Sequence, residues 1–485
     1  GLPWDQPVPE EMWVKVAEYC DDDVLATEAV FNHLKSDWNT RKILSEIAGK
    51  TVNDSTNALT TAIVFEGNRN PQKEFNYRDM SQPVSSIDLD DETIDFIREC
   101  TTIDMDHEFT AWDGSKSMLP YFPGYKFENG KSTYRGLEVG EGGYVEAKHG
   151  IWIDVALLDV ASMHPHSIIS ECLFGPKYTS RYRDIVRGRI CIKHEDFELG
   201  KKILDGKFAP YLVKDEDKLA ALSLALKTPI NSVYGLTSAG FENPFRDPRN
   251  KDNIVAKRGA LFMIDLKYEV EARGFTVAHI KTDSIKIPNA TPEIIDFVMD
   301  FGRKYGYEFE HEATYKKMCL VNNAVYIAKY ADAEWCEERY GYIPDKNRKK
   351  GGQWTATGTQ FAVPYVFKTL FSHEPIEFKD MCETKSVKTN MYLDYGNGEK
   401  TFIGKVGSFC PMEKGGGQLV REGTDKEGNT KYDAVTGTKG YLWQSSDVVE
   451  ELGQQFDIDK SYYQKLVDDA VEAITQYENS DGFFD

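Results

Sequence analysis

The spacing of apolar side chains predicts helices at both ends of the chain and strands in its middle. Residues 10–35 show helical spacing, with one stripe formed by Trp13, Val16, Cys20, Val24, Thr27, Phe31 and Leu34. Residues 67–150 are rich in Gly, Asn, Ser and Asp, which predicts loops with short strands. Beyond residue 340 the chain becomes rich in Gly and Lys, and a last helical pattern covers residues 459–477.

A buried strand followed by a helix is predicted near residue 160. The sequence WIDVALLDV (152–160) is a near-continuous apolar run, typical of a strand that is buried on both faces. The sequence MHPHSIISECLF (163–174) then predicts a helix. A further helix is predicted over residues 214–234, with Asp215 as its cap and a kink or restart at Pro229.

A predicted hairpin brings a second acid into the same region. The segments FTVAHI (275–280) and IKI (285–287) flank the polar tetrapeptide KTDS, which indicates a strand, a turn and a strand. Asp283 lies in that turn, and Asp159 lies at the end of the buried strand. If the two strands are neighbours, both carboxylates meet at one edge of a sheet.

Composition limits the class of protein. The chain has 485 residues, 41% of them hydrophobic and 12% aromatic, which is typical of a folded protein of several domains. We find no run of about 18 uncharged apolar residues and no signal peptide. Eight cysteines without a CxxC pair indicate reduced thiols, so we expect a cytoplasmic protein without structural zinc. Because Gly1 stands where an initiator Met is expected, we expect a piece of a longer chain.

The charge of the chain at first opposes a nucleic-acid partner. A formal charge of −21 repels phosphate as a whole, although an acidic protein can still hold a basic cleft. Basic stretches occur at residues 181–189, 246–258 and 346–350. Taken singly, each is better interpreted as solvated surface than as a DNA contact.

The two predicted neighbours Asp159 and Asp283 suggest metal chemistry. Buried carboxylates repel each other, and Mg²⁺ relieves this repulsion while it also binds phosphate. Two such ions, about 3.5–4 Å apart, activate a hydroxyl nucleophile and stabilise a leaving pyrophosphate. For either acid alone, a capping or turn role is more common than a metal-binding one. The surrounding motifs therefore decide whether the two acids are interpreted as metal ligands.

Four short motifs surround these acids. Residues 142–145 read GGYV, residues 159–165 read DVASMHP, residues 227–235 read KTPINSVYG, and residues 282–284 read TDS. In this order they resemble the glycine motif, motif A, motif B and the end of motif C of family B DNA polymerases. The resemblance extends over roughly residues 130–330 and is most specific in motif B.

The resemblance implies a role for each matched residue. Asp159 and Asp283, with the Val160 carbonyl, would bind two Mg²⁺ ions, for which Mn²⁺ can substitute. The dNTP-binding positions that it implies are Ser162, Met163, His164, Lys227, Asn231, Tyr234 and a second cation, either Lys218 or Lys214. The primer- and template-binding positions that it implies are Gly142, Gly143, Lys281, Thr282, Tyr326 and Lys368.

The chain departs from the family at informative positions. His164 replaces the tyrosine that blocks a ribose 2′-hydroxyl, so DNA is the expected product but exclusion of ribonucleotides stays open. Lys281 replaces the first acid of motif C, and we hypothesise that it contacts the primer phosphate. Ala324 replaces the lysine of the family's Lys-x-Tyr segment. Lys329 either substitutes for that lysine or has only a solvent-exposed role.

The two ends of the chain suggest partners. Tyr19 and Asp23 resemble the third motif of the family's 3′–5′ exonuclease, whose earlier motifs are absent; residues 106–108 (DHE) come in the wrong order and are interpreted as surface charge. We therefore expect no proofreading by this chain alone, and either a removed exonuclease body or a separate chain that completes it. The ending DGFFD (481–485) suggests a sliding-clamp tail, with a frayed terminus as the alternative.

Together these features predict an α+β right-hand polymerase, with a palm of antiparallel sheet plus helices, fingers and a thumb. The predicted parts are 1–38 (exonuclease remnant), 39–141 (connecting region), 142–175 and 235–330 (palm), 176–234 (fingers) and 331–485 (thumb and C-terminal region). Only 231 − 159 = 72 residues separate Asp159 from Asn231, which favours nucleic-acid primers over protein priming.

The expected setting is a phage or other virus in bacterial cytoplasm. The alternatives are a catalytically silent DNA-binding replication subunit and a polymerase that makes or copies RNA.

Overall fold

A computed structural model describes most of the chain. The described residues are 7–71, 83–84, 109–110, 122, 124–140, 142–171, 173–246, 253–436, 438, 442–452 and 457–484. They form helices and sheets with antiparallel strand pairs, so the α+β prediction is confirmed. No described helix combines the length and apolar character that a membrane crossing requires.

The helices are numbered in chain order. They are α1 (Trp13–His33), α2 (Lys35–Ala48), α3 (Thr56–Phe65), α4 (Met163–Ser170), α5 (Gly175–Lys193), α6 (Phe197–Gly200), α7 (Glu216–Thr237), α8 (Ile254–Ala272), α9 (Pro292–Arg303), α10 (Ala333–Tyr340), α11 (Asp345–Lys350), α12 (Thr359–Ala362), α13 (Pro364–Phe367), α14 (Ser446–Glu451) and α15 (Lys460–Thr475). Short 3₁₀ or π turns cover Glu10–Met12, Leu204–Gly206, Lys368–Ser372 and Phe378–Met381.

The strands are numbered in the same way. They are β1 (Pro83–Val84), β2 (Phe109–Thr110), β3 (Lys126–Glu128), β4 (Lys131–Tyr134), β5 (Leu137–Val139), β6 (Val145–Ala147), β7 (Gly150–Val160), β8 (His279–Lys281), β9 (Ser284–Ile287), β10 (Phe309–Leu320), β11 (Tyr326–Tyr330), β12 (Trp354–Thr357), β13 (Glu383–Asp394), β14 (Lys400–Met412), β15 (Gln418–Thr424), β16 (Thr430–Ala434) and β17 (Leu442–Ser445).

The chain divides into two compact units. The first comprises Gly1–Tyr144, Val160–Leu266 and Val298–Phe309, and the second comprises Val145–Asp159, Lys267–Phe297 and Glu310–Asp485. The predicted boundaries of palm, fingers and thumb are a finer division and stay a prediction.

The second unit is built on a seven-stranded sheet with the order β12-β11-β10-β7-β9-β8-β6. The apolar run of β7 lies at its centre, and Val155 to Leu158 are all buried, as predicted for a strand covered on both faces. The hairpin also forms as predicted, although its first strand is shorter and begins at His279. A second sheet of five strands has the order β16-β15-β13-β14-β17.

The first unit packs helices around α7. Asp215 caps this helix, since its side chain accepts a hydrogen bond from the Lys218 backbone N–H at 3.1 Å. The helix runs through Pro229 without restarting, which corrects that part of the prediction. The buried Leu226 and Ile230 flank the proline, and their packing outweighs its local cost.

The predicted N-terminal helix is confirmed, whereas the interpretation of one basic stretch needs correction. The N-terminal helix forms as α1, but its apolar stripe is not buried: Trp13 is 58% and Val24 is 65% exposed. The basic stretch 181–189 is not a solvated surface throughout, because Arg183 of α5 is 1% exposed. Its guanidinium donates to Ser180 Oγ at 2.8 Å and contacts Asp184 at 3.1 Å. Periodicity therefore predicted the helices but not which faces they bury.

The described C-terminal residues, up to Phe484, are folded rather than frayed, and the clamp tail stays a prediction. Phe483 is buried in an apolar cluster with Phe361, and its ring lies 5.5 Å from that of Trp354. The Phe484 ring stacks on Phe371 at 6.0 Å. Phe483 would have to leave this core before it could dock in a clamp groove.

Candidate active site

The register of two strands brings the predicted acids together. The strands β7 and β9 are antiparallel and pair Asp159 with Ser284, the residue after Asp283. Both are interior strands of the sheet, so the acids meet at adjoining strand ends rather than at an edge strand. The turn is tight, because the Asp283 N–H donates to the Lys281 carbonyl at 2.8 Å and Thr282 has a left-handed φ of 56°.

Burial and like charge disfavour the anionic form of Asp159. Burial raises the pKa of Asp159 to about 7, and the charges of Asp283 and Glu312 add to this effect. The cations Lys346 and Lys286 act in the opposite direction. The pair of aspartates therefore forms part of a cluster of three carboxylates and two lysines, all within the second unit.

Glu312 is the carboxylate that the sequence analysis missed. It lies in β10, and its Oε1 accepts from the Lys346 ammonium at 2.8 Å. Burial alone would lower the pKa of Lys346, but the hydrogen bond and charge of Glu312 outweigh it and raise that pKa. The alternation of Phe309, His311 and Ala313 is the signal that could have indicated this strand. Lys346 belongs to the basic stretch 346–350, so part of that stretch is paired with the cluster instead of solvated.

The cluster fits a cation that shares its ligands with a substrate. Within the described residues, no three or more His, Cys, Asp or Glu side chains converge to hold a metal by themselves. Mg²⁺ is often bound by only one or two carboxylates plus substrate phosphates. Asp159 and Asp283 are therefore suited to such a site, and a bound cation would offset the burial and the repulsion that raise the pKa of Asp159.

Three motif A residues, Ser162, Met163 and His164, lie in the first unit. The His164 ring stacks on the Tyr234 ring, with centroids 3.9 Å apart and planes 6° apart. Met163 is 3% exposed, and its sulfur is so close to Gly259 of α8 that a Cβ there would lie 2.4 Å away. The side chain of Met163 is thus part of the core. Ser162 takes a left-handed conformation and is the N-cap residue that precedes α4.

The motif B residues share one side of α7. Lys227 and Asn231 are exposed and four residues apart, and Tyr234 follows one turn later. Lys218 is 227 − 218 = 9 residues before Lys227, about two and a half turns, and thus lies on the opposite side of the helix. Its ammonium lies 3.9 Å from the capping Asp215. Helix geometry therefore makes Lys218 a poor partner for Lys227, and Lys214 precedes the helix.

The predicted primer contacts are spread over both units. Gly142 and Gly143 belong to the first unit and precede β6, which belongs to the second. Lys281 and Thr282 lie at the hairpin turn of the second unit. Tyr326 is in β11, where its hydroxyl is 3.5 Å from that of Tyr315 and Lys286 Nζ lies 5.1 Å from its ring centroid.

Lys329 and Lys368 both have contacts inside the protein. The Lys329 ammonium lies 5.5 Å from the Trp354 ring centroid. The Lys368 ammonium donates to Asp380 at 2.8 Å and to the Pro375 carbonyl at 3.2 Å. Burial alone would raise the pKa of Asp380, but the hydrogen bonds from Lys368 and from a backbone N–H lower it. A DNA contact by Lys368 would have to compete with this ion pair.

The remaining predicted residues are peripheral or fall outside the description. Tyr19 and Asp23 are both exposed on α1. The acidic stretch 106–108 and residues 247–252 of the basic stretch 246–258 lie outside the described residues.

Comparisons with known proteins give limited context. No known family model matches the chain, and no curated protein matches its sequence. Among solved structures, the chain is similar to the family B DNA polymerase from the hyperthermophilic archaeon Pyrobaculum calidifontis, with a TM-score of 0.43 and 12% sequence identity. The match covers 96% of this chain and 57% of the archaeal chain, so this chain spans little more than half the length of that protein.

Proposed function

We propose that this chain extends a nucleic-acid primer by template-directed transfer of deoxynucleotides, with two Mg²⁺ ions as cofactors. The observation that carries the proposal is the register that pairs Asp159 with Ser284 and so brings it beside Asp283. Burial and these neighbouring acids raise the pKa of Asp159 to about 7, and a divalent cation is the natural counter-charge. The motif pattern at 159–165, 227–235 and 282–284 supports the same conclusion.

The chemistry follows from the residues in this arrangement. Asp159, Asp283 and the Val160 carbonyl would hold the two Mg²⁺ ions, which would supply activation of the 3′-hydroxyl and a counter-charge for the leaving group. The 3′-oxygen forms a bond to the α-phosphorus, the bond to pyrophosphate breaks, and the hydroxyl proton leaves to water. Lys227 binds the triphosphate as a point charge, beside Asn231.

The proposed parts of the enzyme follow the sequence. We assign the palm to residues 142–175 and 235–330, the fingers to residues 176–234, and the thumb to residues 331–485. The palm then contains β7, β8 and β9. The proposed partners are primer–template DNA and dNTPs. A separate chain with a 3′–5′ exonuclease remains a prediction from Tyr19 and Asp23.

One observation favours a second candidate, a polymerase that also accepts ribonucleotides. His164 lacks the hydroxyl of a tyrosine, and its ring is held flat against Tyr234. A smaller ring at this position leaves more room near a 2′-hydroxyl. Single-nucleotide extension with matched dNTP and NTP decides between the two candidates.

Primer extension with Mg²⁺ tests the main proposal. We expect Asp159→Ala and Asp283→Ala each to abolish extension, while Asp37→Ala, which removes an exposed acid of α2, leaves it unchanged. Circular dichroism checks that the variants remain folded. Extension at the original rate by both active-site variants would contradict the proposal.

A further inference from the structure

Lys286 is a buried cation close to the proposed active site. It lies in β9, three residues after Asp283, and only 3% of it is exposed. Its ammonium group donates to Nδ1 of His279 at 3.1 Å, so its hydrogen-bond partner is an imidazole. A buried charge that is hydrogen-bonded to a neutral group keeps much of its desolvation cost. A residue that costs stability beside an active site points to a functional role.

Charged groups of both signs act on Lys286. The charge of Lys281 disfavours its ammonium form, whereas the carboxylates of Asp159, Glu312 and Asp283 favour it. These three acids form the carboxylate cluster, so Lys286 lies within the electrostatic range of the proposed metal site. A substitution of Lys286 therefore acts either through this attraction or through its direct contacts, and an experiment must separate the two.

The sheet places Lys286 and Asp159 on one face. Asp159 is opposite Ser284 in the register of β7 with β9, and Lys286 is two residues further along β9. Alternate residues of a strand point to the same face. Leu157, directly opposite Lys286, belongs to the apolar cluster against which Tyr326 packs. Because Lys286 Nζ also lies 5.1 Å from the Tyr326 ring centroid, Tyr326 lies above the same face.

His279 joins this face to the turn before Tyr326. It is opposite Lys286 in the register of β8 with β9, and its Nε2 lies 3.1 Å from the Asn323 carbonyl. Because a carbonyl only accepts, Nε2 carries the proton and Nδ1 accepts from Lys286. Asn323 lies in the turn between β10 and β11, three residues before Tyr326. Two strands separate β9 from β11 in the sheet, so these side chains link the hairpin of Asp283 directly to β11.

We propose that Lys286 and His279 are positioning residues that align Tyr326 with the carboxylate cluster, an inference that rests on the proposed function. Tyr326 is one of the primer-binding positions that the sequence motifs imply, and Asp283 is a proposed metal ligand. The pair fixes these two residues relative to each other and so aligns the primer 3′-hydroxyl for attack. Misplacement of a reacting group slows the chemical step and leaves affinity little changed.

Single-nucleotide extension with Mg²⁺ tests the proposal in Lys286→Met, His279→Phe and the double variant. We expect each single variant to lower the maximal single-turnover rate roughly tenfold. The dNTP concentration for half-maximal rate and the Kd for primer–template should stay within about twofold of the wild type. The double variant should be no slower than the single variants, because both substitutions break one link. The matched controls Lys465→Met and His149→Phe alter exposed residues of the second unit and should leave the rate unchanged.

Thermal unfolding separates this effect from a loss of fold. Lys286→Met removes a buried charge and should be at least as stable as the wild type, so a lower rate does not come from unfolding. If His279→Phe does not fold, His279→Asn carries the test. Its side-chain oxygen still accepts from Lys286, but its nitrogen is too short to reach the Asn323 carbonyl. We then expect a roughly fivefold lower rate at unchanged affinity.

Each outcome decides the proposal. Wild-type rates in both single variants overturn the positioning role alone, provided that the wild type extends primers. A loss confined to Lys286→Met also overturns it, because the lysine then acts on the carboxylates by its charge. Losses that multiply in the double variant show two independent effects and overturn the pair. A wild type without Mg²⁺-dependent extension overturns the proposed function itself, and the positioning role with it.

Discussion

The ammonium group of Lys286 lies 3.1 Å from Nδ1 of His279, inside the sheet that carries Asp159. Burial, with a contribution from Lys286, lowers the pKa of His279 to about 4, so this imidazole is neutral. Its Nε2 is 3.1 Å from the Asn323 carbonyl, which assigns the proton to Nε2 and leaves Nδ1 as the acceptor for Lys286. The lysine is therefore held in place by an oriented histidine beside the carboxylate cluster.

This arrangement predicts that Lys286 costs stability. It is 3% exposed, and burial, with the nearby charge of Lys281, lowers its pKa to about 8. Between pH 8 and the usual lysine pKa of about 10.4, the folded chain binds fewer protons than the unfolded chain, so this group makes stability rise with pH. Lys286→Met removes the penalty, and we expect a gain on the order of 1–2 kcal/mol at pH 7 that vanishes near pH 10.

Thermal unfolding of both proteins at pH 7 and pH 10 measures the effect. Lys465→Met is the control, because it removes an exposed lysine of α15 that does not contribute to the pKa of Lys286. A difference between wild type and Lys286→Met that stays constant with pH would show that burial of the ammonium group carries no such penalty.

The carboxylate cluster predicts how metal binding depends on pH. Burial and the neighbouring acids raise the pKa of Asp159 to about 7. Because this carboxyl group must lose its proton before it binds a cation, Mn²⁺ affinity should fall as the pH drops below 7. Glu312→Gln removes a like charge and frees the Lys346 ammonium, and both changes lower the pKa of Asp159. Calorimetric titration with Mn²⁺ should therefore show a midpoint at lower pH in the variant. Glu310→Gln, at an exposed position of the same strand, should leave it unchanged.

The sequence predicted those features that depend on local spacing. The apolar run 152–160, the cap at Asp215 and the turn at Asp283 each act within a few residues, and all three are confirmed. Glu312 joins the acids only through pairing of distant strands, which no local pattern encodes. The exposed stripe of α1 shows the same limit, because periodicity defines a helical face but not the surface that covers it.

The stack of His164 on Tyr234 predicts a role in sugar selection. Parallel aromatic pairs contribute about 0.5–1.5 kcal/mol beyond their burial, so loss of the ring should loosen this wall of the proposed nucleotide site. We expect His164→Ala to raise incorporation of ribonucleotides relative to deoxynucleotides roughly tenfold, the equivalent of about 1.4 kcal/mol. His164→Phe keeps a planar ring of larger size, so its incorporation of ribonucleotides should not rise above that of the wild type. Equal sugar discrimination in all three proteins would exclude a role for the ring.

The turn beside Asp283 predicts a gain in stability from a single substitution. Thr282 is β-branched and has a φ of 56°, a conformation that costs about 1–3 kcal/mol for such a residue. Thr282→Gly relieves this strain but adds freedom to the unfolded chain, so we expect a net gain of about 1 kcal/mol. Thr384→Gly in β13, an exposed strand position, should instead destabilise the protein. Unfolding midpoints that fall in both variants would show that the turn is not strained.

The burial of the C-terminal aromatic residues predicts a structural role for them. Phe483 is 3% exposed and packs with Trp354 and Phe371 in the cluster that joins the sheet to α15. Phe483→Ala should lower the free energy of unfolding by about 3 kcal/mol, because it leaves a cavity in this core. Phe402→Ala, at a side chain that is 61% exposed, should change it by less than about 0.5 kcal/mol. If Phe483→Ala were as stable as the wild type, the terminus would not be anchored in solution, and an exposed, partner-binding tail would again be the better interpretation of these residues.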